Sequence, residues 1–484
     1  MKHSKPIFFL LLFCIANTFL FAQTNKEKQV TEDEEIIYKA YIEQVGGMLA
    51  SRGMSDEEIK DVIAEYKTNN ITSDKDLAKV LGKLYPSDKN IGIVFYFFKD
   101  DSLRITFLEP GKIIEQQKIG ITEKQLLQLS NDINQSLNLY EQTANRAPSL
   151  RGVTLKKKET NNKKISFEKS IANASKILFP KAFTKQYKHL IVIPALNISA
   201  IPFHLLQPYN DTNFLVNYCS YSIAPSIIDI IVLRYKMLKK KLPNFDFEFI
   251  KQLFSIAPNA TYDVKRKNTI LHKLDSATYS FENSLFVSNP LYPTNTEYIF
   301  PDLPGAKKEI ENAKKYASTY KLFTGNTAIK DSILENLPNA DIAYFATHGI
   351  ASNDNPMEKS FLVLSGNNAF LTAKNIMDTR LNKKPFPEMV ILSACQTGLG
   401  KFMNAGTVGL ARAFLIAGSN HVVMSLWNVD DEATAFLMNS FVAHLQSKST
   451  HLPSGALRLA ILETKEKFSN PSKWASFTIF GVDY

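Results

Sequence analysis

Short, continuous apolar runs alternate with helical stretches through most of the chain, and this pattern limits the fold more than any other feature. The runs are HLIVIPA (189–195), SLFVSN (284–289), DIAYFAT (341–347), EMVILSA (388–394) and HVVMSLW (421–427). Helix candidates such as PGAKKEIENAKKYAS and AGTVGLARAFLIAG lie between or after them. Strands buried on both faces have continuous apolar sequences, so we expect an α/β fold with a mostly parallel sheet flanked by helices.

The part of the chain before residue 189 has a different sequence pattern. The stretches IGIVFYFF, SLRITFLE and KIIEQQKI predict three strands, and TEKQLLQLSNDINQSLNLYEQ predicts a helix. Residues 23–87 predict a small helical N-terminal region, in which Ser55 and Glu58 form a capping box. Segment 151–169 is polar and basic, and it predicts a solvated loop or, alternatively, a protease-sensitive activation loop.

Residues 1–22 have the features of a secretory signal peptide. Lys2, His3 and Lys5 give a positive start, and the apolar run PIFFLLLFCIANTFLFA follows up to a cleavage point after Ala22. We therefore expect an exported protein, periplasmic or secreted. An uncleaved membrane anchor is the alternative, and no other stretch is long and apolar enough to cross a bilayer.

Composition excludes some classes of function. The net charge of +10 comes without a phosphate-binding loop, a zinc knuckle or an RNA-recognition signature, so nucleic acid is not an expected partner. The chain has three cysteines, of which signal cleavage would leave Cys219 and Cys395, too few for a disulfide framework. Cys219 lies in an apolar, strand-like stretch and is expected in the core. Cys395 is then a free thiol that needs an explanation.

Two of the predicted strands end in reactive residues. The stretch DIAYFATHG ends at His348 and Gly349, and MVILSACQTG places Cys395 directly after an apolar run. Functional groups gather beyond the carboxyl ends of strands in open α/β sheets. If these strands are neighbours, the imidazole and the thiol meet at one edge of the sheet. The imidazole then shares the proton of the thiol and so raises the fraction of Cys395 that is thiolate.

Each of these two residues also has a plain alternative, a hydrogen-bonded histidine or a structural cysteine. No second histidine or cysteine lies at ligand spacing around either residue, so we expect neither a metal nor another cofactor. The other histidines have no comparable context, and we expect structural or surface roles for five of them: His189, His204, His421, His444 and His451.

Several sequence blocks resemble the CHAT peptidase family of caspase- and separase-like domains. The blocks are Thr-His-Gly, Ser-Ala-Cys-x-Thr-Gly, Ala-Arg-Ala-Phe-x-x-Ala-Gly and Ser-Leu-Trp-x-Val-x-Asp, and all occur in order. Weaker matches include HLIVIPALNISAIPFHLL, LPGAKKEIE and WASFTIFG. The resemblance covers residues 88–484, with the part that holds His348 and Cys395 at about 284–484.

The resemblance implies a caspase-like fold and a cysteine-peptidase dyad. His348 would be the general base and Cys395 the nucleophile, and the backbone N–H groups of Gly349 and Cys395 would form the oxyanion hole. The implied partner is a protein or peptide substrate, and an activating protease or a sensor protein is a further possible partner. The chain departs from common family architecture because it has an export signal and shows no helical repeat array.

The resemblance also implies a substrate-binding strand in HVVMSLWNV. Ser425, Leu426 and Trp427 would pair with or pack against an added peptide strand, although Trp427 is equally typical of a core residue. Asp430 and Asp431 follow and would form an acidic pocket for a basic residue before the scissile bond. The alternative is that they interact with the positive end of the helix that they begin.

Together these observations predict an exported cysteine endopeptidase. The alternative is a catalytically silent, caspase-like module that binds peptide or another protein in the same groove. The presence of both His348 and Cys395 favours the enzyme, and no motif supports an acyltransferase.

Overall fold

The computed structural model describes residues 74–483 apart from several gaps. The gaps are 144–149, 152–165, 210, 228, 231–232, 235–236, 238–261, 276–278, 280, 295, 297, 353–354, 380–385, 395–400, 404–405 and 448–451. The predicted signal peptide, most of the predicted helical N-terminal region and Cys395 therefore lie outside the described residues.

A central sheet of eleven strands organises the described part of the chain, in the order β3-β2-β1-β5-β6-β18-β16-β13-β9-β7-β8. These strands are β1 (Ile91–Lys99), β2 (Ser102–Glu109), β3 (Lys112–Gly120), β5 (His189–Ile193), β6 (Ser220–Ile223), β7 (Asn283–Pro290), β8 (Thr319–Gly325), β9 (Ile342–Ala346), β13 (Met389–Ser393), β16 (His421–Ser425) and β18 (Phe477–Gly481).

The described residues also form three small sheets. Strands β10 (Gly349–Ile350), β11 (Phe361–Val363) and β12 (Phe370–Thr372) form one of them. Strands β14 (Lys401–Met403) and β15 (Gly406–Val408) form the second, and β4 (Leu150–Arg151) pairs with β17 (Val429–Asp430) in the third.

Helices flank the sheet. They are α1 (Asp74–Leu84), α2 (Glu123–Thr143), α3 (Phe167–Leu178), α4 (Val264–Asp275), α5 (Pro304–Ala313), α6 (Lys330–Asn336), α7 (Pro356–Lys359), α8 (Ala373–Thr379), α9 (Leu410–Ala417), α10 (Asp431–Leu445) and α11 (Pro453–Lys467). Local signals fix several starts: Thr122 caps α2 by accepting the N–H of Gln125 at 3.2 Å, and Pro304 and Pro453 occupy the first turns of α5 and α11.

The predicted α/β fold with a mostly parallel sheet is confirmed. Strands β8, β7, β9, β13 and β16 are all parallel, and β18 runs antiparallel beside β16. Every residue of β9, β13 and β16 is buried, as expected for strands that are covered on both faces. All five apolar runs thus form neighbouring or near-neighbouring strands of one sheet.

The three predicted strands before residue 121 join this same sheet. Strand β1 pairs in parallel with β5, while β2 and β3 extend the sheet as an antiparallel meander. Helix α1 belongs to the region predicted as a separate helical unit, yet it packs onto the same body. The buried Arg234 and Lys267 side chains donate to the carbonyls of Leu84 and Gly82, at 2.9 Å in each case.

A buried polar network lies where β16 begins. His421 Nε2 contacts Asp483 Oδ1 at 2.7 Å, and both residues are fully buried. The backbone N–H of Ser454 donates to the other carboxylate oxygen at 2.6 Å, and His189 contacts Ser454 Oγ at 3.3 Å. The predicted structural role of these two histidines therefore takes the form of a connected network that joins β16, β18, α11 and β5.

Candidate functional site

The candidate site lies where β9 and β13 end side by side. These strands are parallel neighbours, and Ala346 pairs with Ser393 at their last shared position. His348 follows Ala346 by two residues, and Ala394 follows Ser393. The two strands are therefore neighbours, which is the condition for the imidazole and the thiol to meet at one edge, although Cys395 itself lies outside the described residues.

The backbone around His348 is fixed on both sides. The Thr347 hydroxyl donates to the carbonyl of Val363 at 2.6 Å, and the N–H of Val363 donates to the carbonyl of His348 at 2.9 Å. Gly349 then begins β10 and pairs with Leu362. These contacts anchor the segment around His348 to the small sheet of β10, β11 and β12.

The His348 side chain is fully buried and packs between two aromatic rings. Its ring centroid lies 4.7 Å from that of Tyr292 and 5.5 Å from that of Phe300. His348 Nε2 lies 2.7 Å from the carbonyl oxygen of Pro301. A carbonyl only accepts hydrogen bonds, so Nε2 carries the proton, and in the neutral ring the lone pair is on Nδ1.

The segment that carries Pro301 is itself held at both ends. Asn289 accepts the N–H of Leu303 at 3.0 Å and donates its side-chain amide to Asp302 at 2.6 Å. The N–H of Leu291 donates to the carbonyl of Gly325 at 2.8 Å. The carbonyl that orients His348 thus belongs to a braced connection between β7 and α5. The sequence did not suggest Pro301, because any residue can supply a backbone carbonyl.

Ser425 contacts the peptide unit that directly precedes Cys395. Its hydroxyl donates to the carbonyl of Ala394 at 2.6 Å, and both residues are fully buried. The last ladder pair between β13 and β16 is Leu392 with Met424, so this bond continues the contact beyond the ladder. The described contact of Ser425 holds the end of β13, and a role of Ser425 in substrate binding stays a prediction.

Leu426 and Trp427 are also buried, with 1% and 8% of their surfaces exposed. The Leu426 N–H donates to the carbonyl of Ser476 at 2.8 Å, and the Trp427 indole N–H donates to the carbonyl of Ser472 at 2.9 Å. These contacts correspond to the core alternative for Trp427. A direct role of Leu426 or Trp427 in substrate binding stays a prediction.

Asp430 and Asp431 each interact with a helix start. Asp430 is the N-cap of α10 and accepts the N–H of Ala433 at 2.8 Å, while its other oxygen lies 3.5 Å from Lys473 Nζ. Asp431 accepts the N–H of Gly305, in the first turn of α5, at 2.5 Å. The contact of Asp430 corresponds to the helix-terminus alternative, whereas Asp431 contacts the start of a second helix, and the acidic pocket stays a prediction.

Cys219 is the cysteine that the structure describes. It is fully buried and free, and burial raises the pKa of its thiol to about 12. This confirms the expected core position and makes Cys219 an unreactive internal reference. Within the described ranges, no group of three His, Cys, Asp or Glu residues is arranged for a metal ion, and no helix is long and apolar enough to cross a membrane.

Comparisons with known proteins agree with the motif blocks. A model described as CHAT domain matches residues 169–482. Mouse tetratricopeptide repeat protein 28 is 26% identical over 251 residues, which cover 43% of this chain and 10% of that protein. This chain thus spans about a tenth of the length of that curated relative.

Two solved structures of peptidases are similar to the chain. Separase of Saccharomyces cerevisiae, in its complex with securin, shares 12% identity with a TM-score of 0.49, and the match covers 92% of this chain and 33% of that one. The Arg-specific cysteine proteinase gingipain R shares 11% identity with a TM-score of 0.40, and the match covers 65% of this chain and 67% of that one.

Proposed function

The chain belongs to the CHAT domain family, and from that premise we propose that it is a cysteine endopeptidase in which His348 and Cys395 act as a dyad. The observation that carries the proposal is the strand pairing of Ala346 with Ser393, which sets the segments leading to both residues side by side. The caspase-like fold that family membership implies agrees with the observed mostly parallel sheet.

The orientation of His348 supports its role as general base. Because Nε2 donates to the Pro301 carbonyl at 2.7 Å, Nδ1 is the nitrogen that takes the thiol proton of Cys395. The imidazolium formed in this step keeps its Nε2–H bond to Pro301, and a carbonyl dipole stabilises that positive charge. The Pro301 carbonyl thus acts as the third member of the site, a role that sequence motifs do not reveal.

The proposed reaction then follows the chemistry of a thiol nucleophile. The Cys395 thiolate attacks the scissile carbonyl, and the backbone N–H groups of Gly349 and Cys395 stabilise the oxyanion. The His348 imidazolium returns its proton to the leaving amine. Water, deprotonated by the same imidazole, then hydrolyses the thioester and restores the free thiol.

Proteolysis is tested by incubating three proteins with a peptide library and identifying the products by mass spectrometry. We expect cleavage by the wild type, and a loss of several orders of magnitude in Cys395→Ala and in His348→Ala, because members of a dyad act as a unit. Undiminished turnover by Cys395→Ala would exclude the cysteine-peptidase mechanism. Peptide binding without cleavage by any of the three would favour the silent binding module.

A further inference from the structure

A carboxyl group lies buried beneath the candidate site and takes no part in the proposed reaction. It belongs to Glu309 of α5, which has no exposed surface, and neither has Tyr344 of β9. The Tyr344 hydroxyl donates a hydrogen bond to Glu309 Oε1. A buried carboxyl group is costly unless it is hydrogen-bonded, so this bond fixes the two side chains against each other. Glu309 belongs to the block LPGAKKEIE, which the proposed mechanism does not use.

Helix α5 and the segment before it contact the strand of His348 at two levels. Tyr344 of β9 binds Glu309 in the middle of α5. His348, which follows β9, lies 2.7 Å from the carbonyl oxygen of Pro301, and Pro301 precedes the start of α5. Tyr344 precedes His348 along one segment, and Pro301 precedes Glu309 along the other, so α5 runs antiparallel to β9. The two contacts therefore tie these segments together at both ends.

A further contact fixes the first turn of α5. The N–H of Gly305 donates to the Asp431 carboxylate, and a Cβ atom at Gly305 would overlap with that carboxylate. Gly305 and Glu309 are four residues apart, so they lie on one face of the helix, about one turn apart. Two bonds on one face set both the rotation of α5 and its position along its own axis. The Glu309 bond relates that position to β9, the strand that leads to His348.

We propose that Glu309 and Tyr344 are positioning residues for catalysis, and that their buried hydrogen bond holds the Pro301 carbonyl against His348 Nε2. Both act at a distance from the reacting atoms, through α5 and the segment that precedes it. This inference rests on the proposed function for its effect on the rate of cleavage. Its effect on the bond between His348 and Pro301 is measured without any cleavage, so the two proposals can fail separately.

The bond between His348 and Pro301 is sensitive to small shifts of α5. Its length is 2.7 Å, and N–H···O bonds in proteins extend to only about 3.2 Å. A displacement of the Pro301 carbonyl by about 1 Å would therefore exceed this range. The imidazole would then lose the acceptor that fixes its tautomer and its orientation. Misplacement of a reacting group by about 1 Å can cost about 100-fold in rate.

The test follows the imidazole N–H of His348 by NMR in the full chain, with ¹⁵N-labelled histidine. The signal is assigned by its loss in His348→Ala. In the test variant, Tyr344→Phe removes the hydroxyl that donates to Glu309 and keeps the aromatic ring. Tyr96→Phe is the matched control, because the Tyr96 hydroxyl is also buried in the central sheet, on β1, and donates to the carbonyl of Leu178 at 2.6 Å.

In the wild type and in Tyr96→Phe, we expect the Nε2–H of His348 to exchange slowly with water, because burial and the bond to Pro301 protect it. In Tyr344→Phe, exchange should be about tenfold faster or more, and kcat for peptide cleavage should fall about tenfold while KM changes little. Rapid exchange in the wild type would overturn the proposal, as would equal exchange rates in Tyr344→Phe and Tyr96→Phe. If exchange responds as expected but the wild type cleaves no peptide, the positioning is supported and the peptidase proposal is contradicted.

Two substitutions of Glu309 separate the effect of the hydrogen bond from that of the acidic group. Glu309→Gln keeps an oxygen that accepts the Tyr344 hydroxyl, whereas Glu309→Leu removes the acceptor. Urea unfolding first establishes that each variant is folded. Exchange at His348 should then be close to the wild-type rate in Glu309→Gln and about as fast in Glu309→Leu as in Tyr344→Phe. Equal acceleration by both substitutions would contradict the proposal, because the acidic group rather than the hydrogen bond would then determine the exchange rate.

Discussion

Replacing Ser425 with alanine tests whether the bond to Ala394 positions the nucleophile. The substitution removes one buried hydroxyl-to-carbonyl hydrogen bond of 2.6 Å and leaves the backbone unchanged. Such a bond contributes about 0.5–1.5 kcal/mol to stability. Proteins are typically stable by about 5–15 kcal/mol, so the variant should remain folded.

The effect on catalysis should be larger than the effect on stability. The bond holds the carbonyl of the residue directly before Cys395, and a displacement of about 1 Å in a reacting group can cost about 100-fold in rate. We expect kcat to fall about 10- to 100-fold while KM changes little. Peptide cleavage kinetics and urea unfolding of the same samples give the two quantities.

Ser136→Ala is the matched control. Its hydroxyl donates to the carbonyl of Ile133 at 2.7 Å, is also buried, and lies within α2. This variant should lose a similar amount of stability and keep its kcat. If Ser425→Ala and Ser136→Ala have the same kcat, the Ser425–Ala394 bond does not position the nucleophile.

Three further predictions concern stability. Burial lowers the pKa of His189 to about 4 and that of His204 to about 3, below the ordinary value of 6.5. As the pH drops below about 6.5, these two histidines become protonated in the unfolded chain before they do in the folded one. The free energy of unfolding should therefore fall by roughly 1.4 kcal/mol per pH unit for each histidine between about pH 6.5 and pH 4. A free energy of unfolding by urea that does not change over this pH range would contradict this. Asp430→Ala removes the cap of α10 and should cost about 0.5–2 kcal/mol while the preference between basic and neutral peptides stays unchanged; a lost preference for basic peptides would instead establish the acidic pocket. Gly305→Ala would place a methyl group against the Asp431 carboxylate and should lower the thermal midpoint, whereas Gly120→Ala, which meets open space, should not.

The central sheet was predictable because its signal is local. Each of the five apolar runs contains a strand, and the candidate site lies at the ends of two of them because parallel strands align their carboxyl ends. The position of His348 after a strand follows from the same pattern, whereas the adjacency of β9 and β13 is known only from their pairing in the structure. Burial on both faces requires continuous apolar sequence, and such runs are visible without any tertiary information.

The parts that could not be predicted involve contacts between distant segments or between backbone groups. Pro301 acts through its carbonyl, which has no residue signature. The same holds for the pairing of β4 with β17, since a two-residue strand has no detectable period. Ser425 was singled out from its motif as a substrate-binding residue, whereas its observed partner, Ala394, becomes visible only when β13 and β16 are placed side by side.

The histidine network illustrates a further limit. His421 begins β16 and Asp483 follows the end of β18, so both lie at one end of this antiparallel strand pair, and Tyr279 approaches His421 from before β7. None of the three has a spacing that would connect it to the others in sequence. A structural role for the histidine was predicted, but its partners were not, because the fold alone brings them together.

The alkylation rate of Cys395 in the wild type and in His348→Ala tests the dyad most directly, since it needs no substrate. Iodoacetamide reacts with the thiolate, and Cys219 provides an internal reference because burial raises the pKa of its thiol to about 12. In the wild type, we expect Cys395 to be alkylated much faster than Cys219 near neutral pH. In His348→Ala, the alkylation of Cys395 should be slow near neutral pH and should become fast only as the pH approaches about 8.5, the ordinary pKa of a cysteine. Equal rates and equal pH profiles for Cys395 in the two proteins would contradict the account, because His348 would then have no influence on the thiol.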